Sequence, residues 1–296
     1  MNKLVYIILV NYNSIEDTID CIKSIKRQDY KNIKTVVVNN DSNKDFEEKI
    51  KNEFLDIIVI QEKENVGFAI ANNHGIKIAL EDNADFVMLL NNDTIIKQNY
   101  ISMLLGSYEN NKENNIGIIT GKILFYEPNT LIWHAGGKIN KIKGTVDIVG
   151  YKEEDYGQYN NITYNDFASG CCMLIPAKVI RDVGVMSDEY FLYYEDVDYC
   201  NKVKAKGYKI FSENNAEMFH KESASTKKGS NVYSYYYIRN RFYYIKNNSK
   251  GLNKYMAYIY SFLWTIKKII TKEVNYKYAV EGYKDFKNSK MGKKIF

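Results

Sequence analysis

Residues 84–94 read ADFVMLLNNDT, and the central run Phe86-Val87-Met88-Leu89-Leu90 sets the frame for the chain. Five consecutive apolar residues are too few for a core helix and suit a strand buried on both faces. The run stops at Asn91-Asn92-Asp93, which puts polar groups at the strand's carboxyl end. Open α/β sheets keep their ligand crevice outside those ends. A carboxylate flanked by amides suits a hard divalent cation and the phosphates it carries, although a plain turn uses the same residue types. Similar runs occur at 4–10, 34–38 and 56–60. Between them, Ile15, Ile19, Ile22 and Ile25 share a helical face behind a Ser14–Asp17 cap. A loop from residue 64 leads into a helix on which Phe68, Ala71, Gly75 and Ala79 recur at helical spacing. Short β-runs alternating with helices over about 90 residues predict a parallel, doubly wound α/β sheet.

In such a sheet the polar clusters 11–13, 39–42 and 91–93 share one edge, where a nucleotide can lie. A dinucleotide site wants G-x-G-x-x-G directly after the first strand; this turn reads NYNSIED and holds no glycine, which argues against an NAD enzyme. Beyond residue 116 the texture changes. Residues 116–126 and 131–150 are β-like, 167–175 read as a strand, and Pro176 is placed as the first residue of a short helix. Residues 188–200 form an aromatic–acidic segment running into a helix that ends near Gly207, and 208–212 form a strand leading to His220. From Tyr233 onward the pattern is helical and crowded with Tyr, Lys and Arg.

Composition bounds the function. The 296 residues are 45% hydrophobic and 26% charged, an ordinary globular balance. Net charge is +5, weaker than a dedicated nucleic-acid binder carries, so no nucleic-acid partner is expected. Cys21, Cys171, Cys172 and Cys200 have no zinc spacing, and the vicinal pair sits in an apolar run as small core residues. The apolar stretch at 4–10 is short and no small-residue cleavage site follows it, so it reads as a strand and not a signal peptide. No run approaches the ~18–20 apolar residues of a spanning helix. The expected setting is the cytoplasm, with reduced thiols.

Glu195, Asp196 and Asp198 fall in the first turn of their helix, where the dipole favours negative charge whatever their role. A buried acid behind Phe191-Leu192-Tyr193-Tyr194 is also a group whose pKa can rise toward that of a general base. His220, alone after a strand, is a candidate metal ligand opposite Asp93 or an ordinary core histidine.

The ordered segments NYN, VVVNNDS, ENVGFAIANN, LLNNDT, ASGCCMLI, FLYYEDVDYCNKVKAKGY and FHKESAS resemble the family 2 glycosyltransferases, in particular the bacterial rhamnosyltransferase-like branch. The resemblance spans residues 4–240. It implies a GT-A fold: a Rossmann-like nucleotide-binding sheet with an acceptor-side extension, followed by C-terminal helices. Residues 1–230 would be the catalytic domain, with 1–115 binding the nucleotide sugar and 116–230 completing the acceptor and metal side; 231–296 would be a helical region. It implies an inverting enzyme that moves a sugar from a nucleoside diphosphate to an acceptor hydroxyl. By resemblance Asp93 and His220 are the metal ligands for Mn²⁺ or Mg²⁺, and Asp196 is the catalytic base with Glu195 beside it. The donor would meet Asn11, Tyr12, Asn13, Asn39, Asp41, Asn65, Gly67, Phe68, Asn72, Asn91, Asn92 and Arg239. The acceptor would meet Gly170, Tyr194 and Asp198.

Two departures stand out. Asn39 replaces the acid that many relatives use to hold a pyrimidine, and the metal motif Asn-Asn-Asp has a single carboxylate. Metal affinity would then rest largely on the donor's phosphates. These departures keep open a non-catalytic nucleotide- or sugar-binding relative. A nucleotidyltransferase-like enzyme is disfavoured by the lack of a Gly- and basic-rich loop near the first strand. In the C-terminal region Tyr255, Ile259, Phe262, Ile266 and Ile270 form a stripe, with Trp264 beside it and Lys267-Lys268 after it. Three partners for that stripe stay open: the inner face of the plasma membrane near a lipid-linked acceptor, a second subunit in a homodimer, or the catalytic domain itself. Arg239 and Arg241 fit donor phosphates, lipid headgroups or helix packing.

Overall fold

The four apolar runs become strands β1 (Val5–Asn11), β2 (Ile33–Asn39), β3 (Ile58–Gln61) and β4 (Phe86–Asn91), linked by helices α1 (Ile15–Lys26), α2 (Phe46–Glu53) and α3 (Phe68–Glu81). The computed structural model describes residues 2–41, 43, 45–222 and 229–296. Ser42 of the second polar cluster and Ser223, Ala224 and Ser225 of the FHKESAS segment lie outside the described residues. Strands β3, β2, β1 and β4 stand side by side, all parallel. Register places Asn11 beside Asn39, Asn39 beside Gln61 and Val10 beside Asn91, so the polar clusters share one edge.

Alternation along the strands divides the core. Val5, Ile7 and Leu9 face α1, α2 and a helix α4 (Tyr100–Asn110), while Tyr6 and Ile8 face α3. Each fully buried Val, Leu or Ile contributes roughly 1.5–3 kcal/mol, enough to fix the register once both faces are covered. All four cysteines are free and buried, Cys171 and Cys172 among them, as small core residues.

The remaining strands are β5 (Thr94–Ile96), β6 (Ile116–Phe125), β7 (Ile132–His134), β8 (Gly137–Asn140), β9 (Thr145–Ile148), β10 (Thr163–Asn165), β11 (Cys172–Pro176) and β12 (Lys209–His220). The sheet continues from β4 through antiparallel β11 to β6, then parallel β12, then β10. It is therefore mixed, not wholly parallel. Short β5 pairs with the end of β12 and sets Thr94 opposite His220.

Several sequence expectations need correction. The strand expected at 167–175 starts at Cys172; before it the chain turns, with the Cys172 N–H donating to the Ser169 carbonyl. Pro176 ends β11 and flanks helix α5 (Ala177–Val183) instead of opening it. Ser14 bonds the Asp17 carboxylate and caps no backbone N–H of α1. Strand β5 and helix α4 carry no sequence expectation: β5 is three residues long and Gly106 interrupts the α4 pattern.

Helix α6 (Glu195–Ala205) follows the FLYY turn, with Gly207 just past it at φ 85°. The last helices are α7 (Asn231–Asn248), α8 (Gly251–Ile270) and α9 (Tyr276–Lys287). Tyr244 and Ile245 of α7 enter the same core as β1 and α3, so the C-terminal part of α7 packs into the sheet domain.

Candidate active site

The carboxyl ends of β1 and β4, the FLYY turn and the start of α7 enclose a cleft of about 1350 Å³. That exceeds the ~300–1,000 Å³ of a single drug-sized pocket and leaves room for two substrates. A smaller hollow of about 640 Å³ near Lys3, Asp85 and Arg181 lies elsewhere and gathers none of the candidate residues.

Along the sheet edge the side-chain amides form a ladder. Asn92 Nδ2 donates to Thr18 Oγ1 at 2.9 Å, Thr18 donates to Asn11 Oδ1 at 3.0 Å, and Asn11 Nδ2 donates to Asn39 Oδ1 at 2.7 Å. Asn39 Nδ2 then reaches Gln61 Oε1 at 2.9 Å. Asp41 ties the ladder to the first turn, accepting from the Asn13 N–H and from Asn11 Nδ2. Asn39 is fully buried and its amide oxygen is already engaged. Asn11, Asn13, Asn39 and Asp41 therefore brace the edge, and none of them lines the cleft. The residue after β2 that does line it is Asn40, which the sequence reading named only as part of its cluster. Asn40 accepts from the Val66 N–H at 2.8 Å and donates to Asn65 Oδ1 at 3.1 Å, fixing the 65–67 loop.

Gly67 sits at φ 90°, and a Cβ there would meet the Phe191 carbonyl oxygen at 2.5 Å. The Phe68 N–H donates to that same oxygen at 2.9 Å, so the loop and the FLYY turn are locked edge to edge. Asn65, Gly67 and Phe68 line the cleft with Tyr12, Asn91 and Asn92. Asn72 is buried in α3 and donates to the Phe68 carbonyl, away from the cleft.

Two charged corners face this space. At the first, His220 Nε2 lies 3.2 Å from Asp93 Oδ1, brought there by the β5–β12 pairing. His220 Nδ1 has no partner among the described residues, and Trp133 packs its edge on the imidazole, ring centroids 4.7 Å apart. No group of three or more His, Cys, Asp or Glu able to hold a metal occurs among the described residues. One carboxylate and one imidazole still fit a divalent cation whose other ligands come from a diphosphate.

At the second corner Asp196 accepts from the Gly170 N–H at 3.0 Å and from the Val197 N–H at 2.8 Å. A Cβ on Gly170 would press on Phe68 at 3.2 Å and Asp196 at 3.3 Å, which explains a glycine there. Glu195 Oε2 is buried with no partner among the described residues. Burial, helped by the Asp196 charge, pushes the Glu195 carboxyl well up. Burial also raises Asp196, opposed by the backbone N–H groups of Gly170 and Val197. Two neighbouring buried carboxyls disfavour ionising together, and the backbone donors on Asp196 favour its ionised form over that of Glu195.

The backbone feeding this corner is strained. Tyr193 and Tyr194 have φ of 71° and 74°, left-handed values that cost bulky residues of order 1–3 kcal/mol each. Helix α7 holds them: Asn240 Nδ2 donates to the Leu192 and Tyr193 carbonyls at 2.8 and 3.0 Å, and Tyr237 packs on both tyrosine rings. Tyr194 itself is buried against Tyr237 and Tyr244 and does not line the cleft. Asp198 is also turned away, accepting from Asn248 at 2.9 Å and pairing with Lys202. Arg239 is 1% exposed, stacked over Tyr235 and Tyr236 and donating to Asn240, so it packs helices and does not reach the cleft.

Of the candidate residues, Tyr12, Asn65, Gly67, Phe68, Asn91, Asn92, Asp93, Gly170, Glu195, Asp196 and His220 meet in one cleft. Trp133, Tyr151, Glu222 and Lys294, none of them a candidate from sequence, also line it. Trp133 falls in the β-like stretch 131–150 and Tyr151 just after it, where no periodicity revealed the fold; Trp133 Nε1 donates to Glu222 at 2.7 Å.

Comparison with known proteins agrees with this architecture. The model for Glycosyl transferase family 2 matches residues 6–184. The low-salt glycan biosynthesis hexosyltransferase Agl10 of Haloferax volcanii is 28% identical over 242 residues, covering 80% of this chain and 73% of that protein. The dTDP-rhamnosyl transferase RfbF of Shigella flexneri is 24% identical over 258 residues, covering 84% and 82%. Among solved structures, GalNAc-T7 with UDP, GalNAc and Mn²⁺ superposes with a TM-score of 0.62 at 11% identity, over 97% of this chain and 58% of that one. Residues 1–349 of TarS from S. aureus give 0.57 at 14% identity, over 96% and 80%. These neighbours share the GT-A-like mixed sheet seen here.

Proposed function

The chain belongs to glycosyl transferase family 2, and from that membership we propose an inverting enzyme that moves a hexosyl or rhamnosyl group from a UDP- or dTDP-sugar to a hydroxyl of a glycan or lipid-linked acceptor. Its product would be part of a cell-surface polysaccharide, made in the cytoplasm at the inner face of the membrane. The observation that carries this reading is the meeting of Asp93, His220, Glu195 and Asp196 in a cleft large enough for two substrates.

Asp196 removes the acceptor hydroxyl proton as that oxygen attacks the anomeric carbon and the bond from this carbon to the diphosphate breaks. The Gly170 and Val197 N–H groups favour the ionised carboxylate against the upward push of burial and fix its direction. Single displacement needs one base and no second carboxylate as nucleophile, which fits a protonated Glu195. Asn40, Asn65 and Tyr12 stand where a nucleotide would lie along the sheet edge. Asp93 and His220 would hold a divalent cation, which supplies positive charge against the departing diphosphate.

A panel of UDP-, dTDP- and GDP-sugars, scored for donor turnover with and without chelator, tests the reading. Turnover of a UDP- or dTDP-sugar that stops on chelation is expected, with inverted configuration in the product. Binding without turnover across the panel would instead identify a non-catalytic relative.

A further inference from the structure

Charge is distributed unevenly along this chain. Residues 231–296 hold 14 Lys and Arg against 3 Asp and Glu, a net +11, whereas residues 1–230 hold 27 against 33, a net −6. Within the basic region α8 buries only Ala257 and Ser261. Its inner side is fixed firmly: Arg241 Nε donates to Ser261 Oγ at 2.8 Å, and the guanidinium lies 4.7 Å over the Trp264 ring. The other side is apolar and open. Leu252, Met256, Ile259, Leu263, Ile266 and Ile270 recur at three- and four-residue steps, and Ile259 and Leu263 are 61% and 60% exposed.

The β8–β9 turn extends this face. The Lys143 carbonyl accepts from Arg241 Nη2, and Lys143 Nζ lies 5.9 Å from the Tyr260 ring. Beside it Ile142 is 51% exposed, between Lys141 and Lys143. The surface is thus an apolar stripe with Lys267 exposed on the helix and Lys141 and Lys143 on the turn beside it; Lys254 and Lys268 are turned inward, to the Lys246 carbonyl and to Glu273, and α8 itself contains no acidic residue. No helix among the described residues is long and apolar enough to cross a membrane.

We propose that α8, with the Ile142 turn, is the surface by which this chain rests on an anionic lipid bilayer. A helix with one wide apolar face and flanking lysines lies in the interface plane, its apolar side chains among the acyl chains and its ammonium groups at anionic headgroups. A second copy is the poorer occupant, because a two-fold contact through α8 sets two +11 modules against each other. For the transferase proposed above, on which this step rests, α7 anchors α8 and also gives Tyr233 and Tyr236 to the cleft, so docking holds the cleft beside lipid-borne acceptors.

The test is co-sedimentation of the full chain with vesicles of phosphatidylcholine alone or with about one-third phosphatidylglycerol. Binding at least about tenfold stronger to the anionic vesicles, weakening as salt rises, is expected. The exposed pair Ile259→Asp and Leu263→Asp should lower that binding about tenfold or more, with melting temperature and donor turnover unchanged. The proposal is overturned if the wild-type chain ignores anionic vesicles, if the double variant binds them equally well, or if the same substitutions dissolve a dimer that shows no lipid affinity. Donor turnover without lipid binding would sink the docking alone, and lipid binding without turnover would sink the transferase reading alone.

Discussion

At Asp93 a carboxylate meets an imidazole 3.2 Å away, whereas at Asp196 a carboxylate meets a second carboxylate inside an apolar wall. The first corner pairs a nitrogen and an oxygen donor and gains from added positive charge. The second is short of positive charge and of solvent, so it gains from a proton. One residue type thus performs two tasks in one cleft, and its neighbours decide which. Helix α7 builds the second corner by clamping the strained tyrosines, while the sheet alone builds the first through β5 and β12.

The sharpest way to break this contrast is to remove charge from each corner in turn. Asp196→Asn should lower kcat by ~10²–10⁴-fold with folding intact, which steady-state kinetics and circular dichroism together check. His220→Ala or Asp93→Asn should cost about 10²-fold and make the residual rate insensitive to chelator, measured by titrating Mn²⁺. Asn240→Ala leaves both corners' charges in place but loosens the clamp on Leu192 and Tyr193, so a drop of about tenfold in kcat with little change in donor KM is expected.

The smallest effect distinguishes the corners by stability. Glu195 has its folded pKa raised, so the folded state binds this proton more tightly than the unfolded chain does. Its contribution to stability is full below the ordinary carboxyl range and is lost as pH rises through the elevated folded value. Glu195→Gln removes that loss. The variant should melt roughly 2–4 °C above wild type at pH 8, with the gap closing toward pH 5, as calorimetry at the two pH values would record. An equal gap at both would mean that Glu195 is not the proton-holding member.

Much of this was legible from local pattern. The buried runs and the polar residues that stop them located the sheet edge, because a strand hydrophobic on both faces leaves little freedom in where it ends. Which residue of a polar pair faces the cleft was not legible. Asn39 and Asn40 differ only in direction, which strand register sets, and of Asn72 and Asn73 neither lines the cleft, Asn73 being bonded to the loop at 184–190. Arg239 looked like a phosphate ligand because aromatic interleaving accompanies both recognition and helix packing; its burial decides for packing. The wall formed by Trp133 and Tyr151 comes from short strands and turns closed by distant contacts, which no period reveals. Charge segregation was present in the sequence all along, but a −6 and a +11 sum to a whole-chain +5 that hides it.

The division of labour between the two corners is tested most directly by calorimetric titration of the donor nucleotide diphosphate, with and without Mn²⁺, into wild type, His220→Ala and Asp196→Asn. Mn²⁺-dependent binding should be present in wild type, retained in Asp196→Asn despite its lost turnover, and absent in His220→Ala. Equal Mn²⁺-dependent binding in His220→Ala, or its loss in a folded Asp196→Asn, would contradict the account.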